Sequence, residues 1–251
     1  MSDIVLRDPE RLRAYLVGWL CGLRGQAGDA CRGFVFGLSG GIDSGVVCGL
    51  AAEAVGPDRC LGLILPIESP VEDAELSRTV ADRFHVRAAT VELSQTYYDL
   101  LAAVVDAPAG ASALVRANVK PRLRMVALYY YANLLGYFVL GTGNRDELAV
   151  GYYTKWGDGA CDALPLGDLV KAEVRGLARV LGVPGAVLER APSAGLWPGQ
   201  TDEREMGILY EQLDRFLVEG GSGDAGVDSA IRRRQELARH KAGPPAIARP
   251  E

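Results

Sequence analysis

The sequence predicts an α/β protein with a doubly wound, mostly parallel sheet of about five strands and helices on both faces. Three observations carry this expectation. Short apolar runs alternate with longer segments of helical period. The runs are continuous rather than alternating, as strands covered on both faces require. A glycine-rich turn joins the first run directly to a helical segment.

Taken in order, Asp8 and Pro9 open a helix, with Asp as N-cap and Pro in the first turn. Leu12, Leu16, Trp19 and Leu23 then recur at helical spacing. Residues 33–38 (GFVFGL) suit a buried strand, and SGVVCGLAAEAVG forms a helix closed by Gly56-Pro57. Residues 60–65 (CLGLIL) give a second strand, Ser69-Pro70 starts a helix to about Phe84, and residues 86–93 give a third strand. A helix is expected over 95–105, followed by a long helical stretch over 112–135 that Pro121 should kink or split. Residues 138–140 form a fourth strand ending at Gly141-Thr142-Gly143. Residues 151–168 lack a period and read as a functional loop. Helices over 171–181, 210–218 and 228–240 complete the chain, with a loop over 192–203. No internal repeat and no second core is evident, so 1–251 is expected to be one domain, burying roughly 70–75% of its unfolded surface.

Composition narrows the function. A chain of 251 residues with 49% apolar and 24% charged residues suits a soluble globular fold. A net charge of -5 argues against nucleic-acid binding, which needs a basic surface. The five cysteines contain no C-x-x-C pair and are expected as reduced, mostly buried thiols. His85 and His240 are the only imidazoles, too few for a usual zinc site. The polar N-terminus is no signal peptide, and no apolar run reaches the ~18 residues a membrane span needs, so the expected compartment is the cytoplasm.

The chemistry concentrates in Gly37-Leu38-Ser39-Gly40-Gly41-Ile42-Asp43-Ser44. Two glycines let the chain turn sharply and let a ligand approach the backbone. The free N–H groups of the following helix face an anion with the positive end of the dipole behind them. Ser39 and Ser44 add hydroxyls, and Asp43 is an oxygen ligand suited to Mg²⁺ arriving with phosphates. No Gly-Lys-[Ser/Thr] follows, so this is not a Walker A loop.

GLSGGIDS is similar to the signature of the N-type ATP pyrophosphatases, which cleave ATP between the α and β phosphates. NVKPRLRM (118–125), GTGNRDELAVGYYTKWGDGACD (141–162), PLGDLVKAEV (165–174), PSAGLWPGQTDE (192–203) and His240-Lys241 resemble, in that order, the NAD+ synthetases. The resemblance runs from about residue 10 to 249. It implies an adenine nucleotide alpha hydrolase-like fold and an ammonia-dependent, AMP-forming ligase that adenylates the nicotinate carboxylate of deamido-NAD+. Residues 37–44, Thr142, Lys171 and Ser193 would hold ATP, and Asp43 and Glu147 would hold Mg²⁺. Arg122, Lys155, Asp162, His240 and Lys241 would contact deamido-NAD+. Asp43, Lys171 and Asp162 would be the catalytic set, with Asp162 relieving ammonium of a proton.

Without the motifs, Arg122 and Arg124 read equally as solvated helix residues, and Tyr129, Tyr130 and Tyr131 read as packing rather than a base platform. Trp156 and Trp197 read as pocket walls, and His85 as a surface residue. The resemblance also implies a homodimer, with residues 125–140 as interface or core. No room is seen for a glutamine-hydrolysing domain, so the expected donor is free ammonia or ammonia from a separate glutaminase. The alternatives are a related ligase that amidates a different carboxylate, and a non-catalytic nucleotide-binding relative.

Overall fold

The computed structural model describes residues 4–104, 113–190, 201–245 and 247–249. Asp8 caps α1 (Pro9–Ala27), its carboxylate accepting the Arg11 N–H at 2.9 Å. β1 (Gly33–Gly37) leads into α2 (Ile42–Val55), which stops at Gly56 in a positive-φ conformation. Next come β2 (Cys60–Ile64), α3 (Val71–Arg83), β3 (Arg87–Thr90) and α4 (Ser94–Ala103).

The long helical stretch is split in two, α5 (Ala113–Ala117) and α6 (Val119–Leu135). The break falls at Asn118, which puts Pro121 in the first turn of α6, where its missing N–H costs no hydrogen bond. β4 (Tyr137–Leu140) and α7 (Arg145–Val150) follow. The last part is helical: α8 (Lys171–Leu181), α9 (Gly185–Leu188), α10 (Asp202–Met206), α11 (Tyr210–Glu219) and α12 (Ala225–Ala238).

The four strands are all parallel, in the order β3-β2-β1-β4. The α/β expectation holds, with four regular strands among the described residues. In place of the fifth strand of the expected count, a single parallel bridge, Leu140 to Ala163, lies beside β4. β3 is shorter than its apolar pattern suggested because it is a largely exposed edge strand, yet Val91 and Leu93 still donate to Ile64 and Pro66 on the β2 side.

Side-chain alternation divides the core. Phe34 and Phe36 of β1 point to the face packed by α1, α2 and α8. Val35 points to the opposite face, with Leu61, Leu63 and Val139, against Ala132 of α6. A third cluster joins Val150 of α7 to Tyr210, Leu213 and Ile231 of the last helices. The cysteines are all free, and Cys31, Cys48 and Cys60 are buried. No helix among the described residues is long and apolar enough to cross a membrane.

β2 and β3 lie on one side of β1 and β4 on the other, so the chain reverses its winding between β1 and β4. Parallel sheets bind ligands beyond the carboxyl ends of the strands at such a point. Here that place is occupied by the turn after β1 and by Gly141-Thr142-Gly143 after β4.

Candidate active site

A cavity of about 480 Å³ opens over these strand ends. Gly37, Leu38, Ser39, Gly41, Ile42, Asp43, Ser44 and Thr142 all line it. The turn is braced by its own hydroxyls. Ser39 N–H donates to Ser44 Oγ at 3.3 Å, Gly41 N–H to Ser39 Oγ at 3.3 Å, and Ser44 O–H to the Gly41 carbonyl at 2.9 Å. Gly40 has φ +74°, and a Cβ there would stand 2.8 Å from the Asp73 carbonyl oxygen. Both the backbone conformation and the space demand glycine.

Lys171, 1% exposed, is among the most buried side chains. Its Nζ donates to Asp43 Oδ2 at 2.6 Å and lies 4.9 Å from the centre of the Tyr210 ring. Burial alone would lower the Lys171 pKa, but the charges of Asp43 and Glu147 outweigh it and raise it, so the cation persists.

A lysine at a helix start opposes the macrodipole. The structure shows how that is offset. The Lys171 backbone N–H donates to Asp146 Oδ2 at 2.7 Å and to Asp214 Oδ1 at 3.0 Å, and the Ala172 N–H donates to Asp214 Oδ2 at 3.2 Å. Two buried carboxyls from α7 and α11 therefore clamp the first turn of α8. Burial raises the pKa of both, and Asp214's charge raises Asp146 further.

Asn144 caps α7 by accepting the Glu147 N–H, while Glu147 Oε2 accepts the Asn144 N–H at 3.0 Å. The Asn144 amide also donates to Asp43 Oδ1 at 3.1 Å. Glu147 is pushed well above the ordinary carboxylate range, first by burial and then by Asp43 beside it. Asp43 and Glu147 line the same cavity as two hard oxygen donors, the type Mg²⁺ takes, although no group of three or more metal-ligating side chains is gathered among the described residues.

The expected dinucleotide contacts divide. Arg122 donates to the Lys155 carbonyl at 3.3 and 3.2 Å, and Lys155 Nζ donates to the His240 carbonyl at 2.5 Å. Lys241 Nζ donates to the Gly151 and Tyr153 carbonyls at 2.6 and 2.8 Å. These four residues come together near one rim, but only Lys241 lines the cavity. Asp162 stands apart. Its Oδ2 accepts the Val139 N–H at 2.7 Å and its Oδ1 the Tyr129 hydroxyl at 3.2 Å, and it does not line the cavity. Trp156 is 51% exposed, stacks on the Lys155 ammonium and is no pocket wall. Ser193 and Trp197 lie outside the described residues.

Other lining residues had no site role in the sequence reading. Arg124 donates from Nε to the Leu65 carbonyl at 2.9 Å, and burial lowers its pKa. It faces the cavity while Arg122, two residues away, does not. Asp158 also lines the cavity, its Oδ1 accepting the Thr154 N–H at 2.8 Å. Asp202 lines it too, accepting the hydroxyls of Tyr152 and Tyr210 at 3.2 and 3.0 Å. The N-x-x-E spacing of a capping box was a visible signal for Asn144. Arg124, Asp158 and Asp202 lie inside the motifs 118–125, 141–162 and 192–203, but nothing in those motifs singles them out as lining residues.

An anion loop at the switch point of a parallel sheet places the chain among the α/β proteins that handle nucleotide phosphates. The sequence model of the NAD synthase family matches residues 25–242, and the chain belongs to that family. It is 45% identical to an NH(3)-dependent NAD(+) synthetase of Carboxydothermus hydrogenoformans, over 92% of this chain and 94% of the relative. It is 44% identical to an NH(3)-dependent NAD(+) synthetase of Archaeoglobus fulgidus, over 86% and 88%. A solved NMN synthetase from Francisella tularensis superposes with a TM-score of 0.91 at 36% identity, covering 97% of this chain and 99% of that one.

Proposed function

We propose that this chain is an ammonia-dependent, AMP-forming ligase that amidates the nicotinate carboxylate of deamido-NAD+. The observation that carries the proposal is the Lys171–Asp43 pair set against the Ser39–Ser44 loop, since it joins a cation, a metal-ligand carboxylate and an anion-binding turn in one cavity.

The carboxylate oxygen attacks the α-phosphorus of ATP. An oxygen–phosphorus bond forms to give an acyl adenylate, the bond to the β-phosphate breaks, and pyrophosphate leaves. The N–H groups of the loop and Lys171 hold the phosphates and stabilise the charge on the departing group. Asp43 and Glu147 would hold Mg²⁺, which neutralises phosphate charge when bound. Ammonia then attacks the carbonyl carbon and AMP leaves.

Asp158 suits the proton transfer better than Asp162. It lines the cavity, whereas both Asp162 oxygens accept hydrogen bonds away from it. Arg124 offers a charge-assisted contact to the acid substrate inside the cavity, and Arg122, Lys155 and Lys241, gathered near the rim with the His240 backbone, would receive a second anionic group. Val126, Tyr130 and Leu134 are exposed at successive turns of α6 and supply a face for a second copy, in keeping with a homodimer.

The likeness to an NMN synthetase favours a second reading, in which the acid is the mononucleotide rather than the dinucleotide. One assay tests both. ATP, Mg²⁺ and ammonium are supplied with deamido-NAD+ or with nicotinate mononucleotide, and AMP, pyrophosphate and the amide are quantified. Faster turnover per unit concentration with deamido-NAD+ is expected. Preference for the mononucleotide establishes the second reading, and no AMP with either acid overturns both. Glutamine as sole nitrogen source should give almost no product.

A further inference from the structure

Arg190 belongs to none of the motifs that point to the site, yet its side chain ends there. It follows α9 and reaches back to the first turn of α3, where Nη2 donates to Asp73 Oδ1 at 2.5 Å. Gly40 locates the rest of the guanidinium, because a Cβ built on Gly40 would stand 3.2 Å from Arg190 Nη1. Arg190 and Asp73 both line the cavity beside Ser39 and Gly41.

The anchor is itself fixed. Ser77, one turn along α3 from Asp73, shares its single hydroxyl proton between the Asp73 carbonyl at 2.7 Å and the Leu38 carbonyl at 3.0 Å. The start of α3 is thereby tied to the chain leaving β1, and the guanidinium is held at a set distance from the loop.

Charge gives this placement a purpose. Lys171, the other cation at the loop, is already in contact with Asp43 and close to Glu147. A departing pyrophosphate needs more positive charge than one paired lysine supplies. A guanidinium can keep one N–H on a carboxylate and present the others to phosphate oxygens, which a lysine in the same place cannot do as well.

We infer that Arg190 is a second phosphate-binding cation, which holds the pyrophosphate end of ATP against the loop with Asp73 as its positioning residue. This rests on the ATP-cleaving reading proposed above. The test is calorimetric binding of inorganic pyrophosphate and of AMP to the full chain, compared with Arg190→Ala, Arg190→Lys and Asp73→Asn. Arg190→Ala should weaken pyrophosphate about tenfold or more, as expected for losing a charge-assisted hydrogen bond, and leave AMP within about twofold. Arg190→Lys should recover part of the loss, and Asp73→Asn should show an intermediate one.

Pyrophosphate affinity in Arg190→Ala equal to that of the unmodified protein overturns the inference, even if the variant melts earlier. Equal losses for AMP and pyrophosphate overturn it as well. The parent reading fails separately, if the unmodified protein releases no AMP from ATP with either nicotinate acid.

Discussion

Lys171 Nζ lies 2.6 Å from Asp43 Oδ2, although 128 residues separate the two in the chain. With side chains only 2% and 17% exposed, the pair is shielded from water, and removing one partner of such a pair costs about 3–5 kcal/mol. Asp43→Ala should reduce turnover by on the order of 10²–10³, as loss of one transition-state contact does elsewhere. Near-full turnover of this variant at saturating Mg²⁺ would remove Asp43 from the chemistry.

Two aspartates compete for the proton-transfer step, and the geometry favours Asp158. Asp158→Asn should lower kcat by on the order of 10² and raise the ammonium concentration needed for half-maximal rate. Asp162→Ala should instead destabilise the fold by about 1–3 kcal/mol through the orphaned Val139 N–H, with turnover changed only a few-fold. Parallel kinetics and thermal melts of the two variants decide, and the reverse ranking would return Asp162 to the catalytic role.

Neighbouring arginines should separate in the same way. Arg124→Met is expected to raise KM for the nicotinate acid by roughly tenfold or more while KM for ATP holds, because Arg124 faces the cavity. Arg122→Met should act on deamido-NAD+ and spare nicotinate mononucleotide if the rim receives the second nucleotide. Equal effects on both acids would place Arg122 at the common half.

Stability should respond to acid through Glu173. Burial pushes its carboxyl up, but hydrogen bonds and the charge of Arg7, with Arg7 Nε 2.7 Å from Oε1, outweigh burial and hold it below the usual 4.5. A folded pKa below the unfolded one means that the unfolded chain takes up the proton first as pH falls. The contribution is therefore complete above about pH 4.5 and is lost on going below it through the folded value. Arg7 is 44% exposed, which limits the pair to about 1 kcal/mol. Glu173→Gln should melt earlier than the unmodified protein at pH 7, and the gap should shrink towards pH 3. A constant gap would show that the lost contact is not electrostatic.

Features that lie within a few residues of one another were legible in the sequence. β1 and β2 show as apolar runs because both of their faces are covered, and Asp8-Pro9 and Gly56 mark helix ends through local backbone chemistry. β3 was read too long because its apolar residues continue past the regular strand. α7, α9 and α10 have six residues or fewer, too short for a helical period to register. The same boundary runs through the site. Ser39 to Ser44 is contiguous and declares itself, and the rim set of Arg122, Lys155, His240 and Lys241 came from resemblance. The Asp146–Asp214 clamp and the Arg190–Asp73 pair join residues far apart in the chain, and no local pattern encodes such a meeting.

The distance along the chain between Asp43 and Lys171 also sets an order in time. The turn after β1 needs only its own serines and glycines, so it can take shape with the first strand and helix. Its lysine arrives only when α8 docks on α2, and that contact must wait for a long loop to close. Nucleotide affinity should thus be the last property the chain acquires as it refolds, appearing after most of the helical signal has returned. A fluorescent ATP analogue followed beside circular dichroism would record the delay, and ligand binding would then report completed folding.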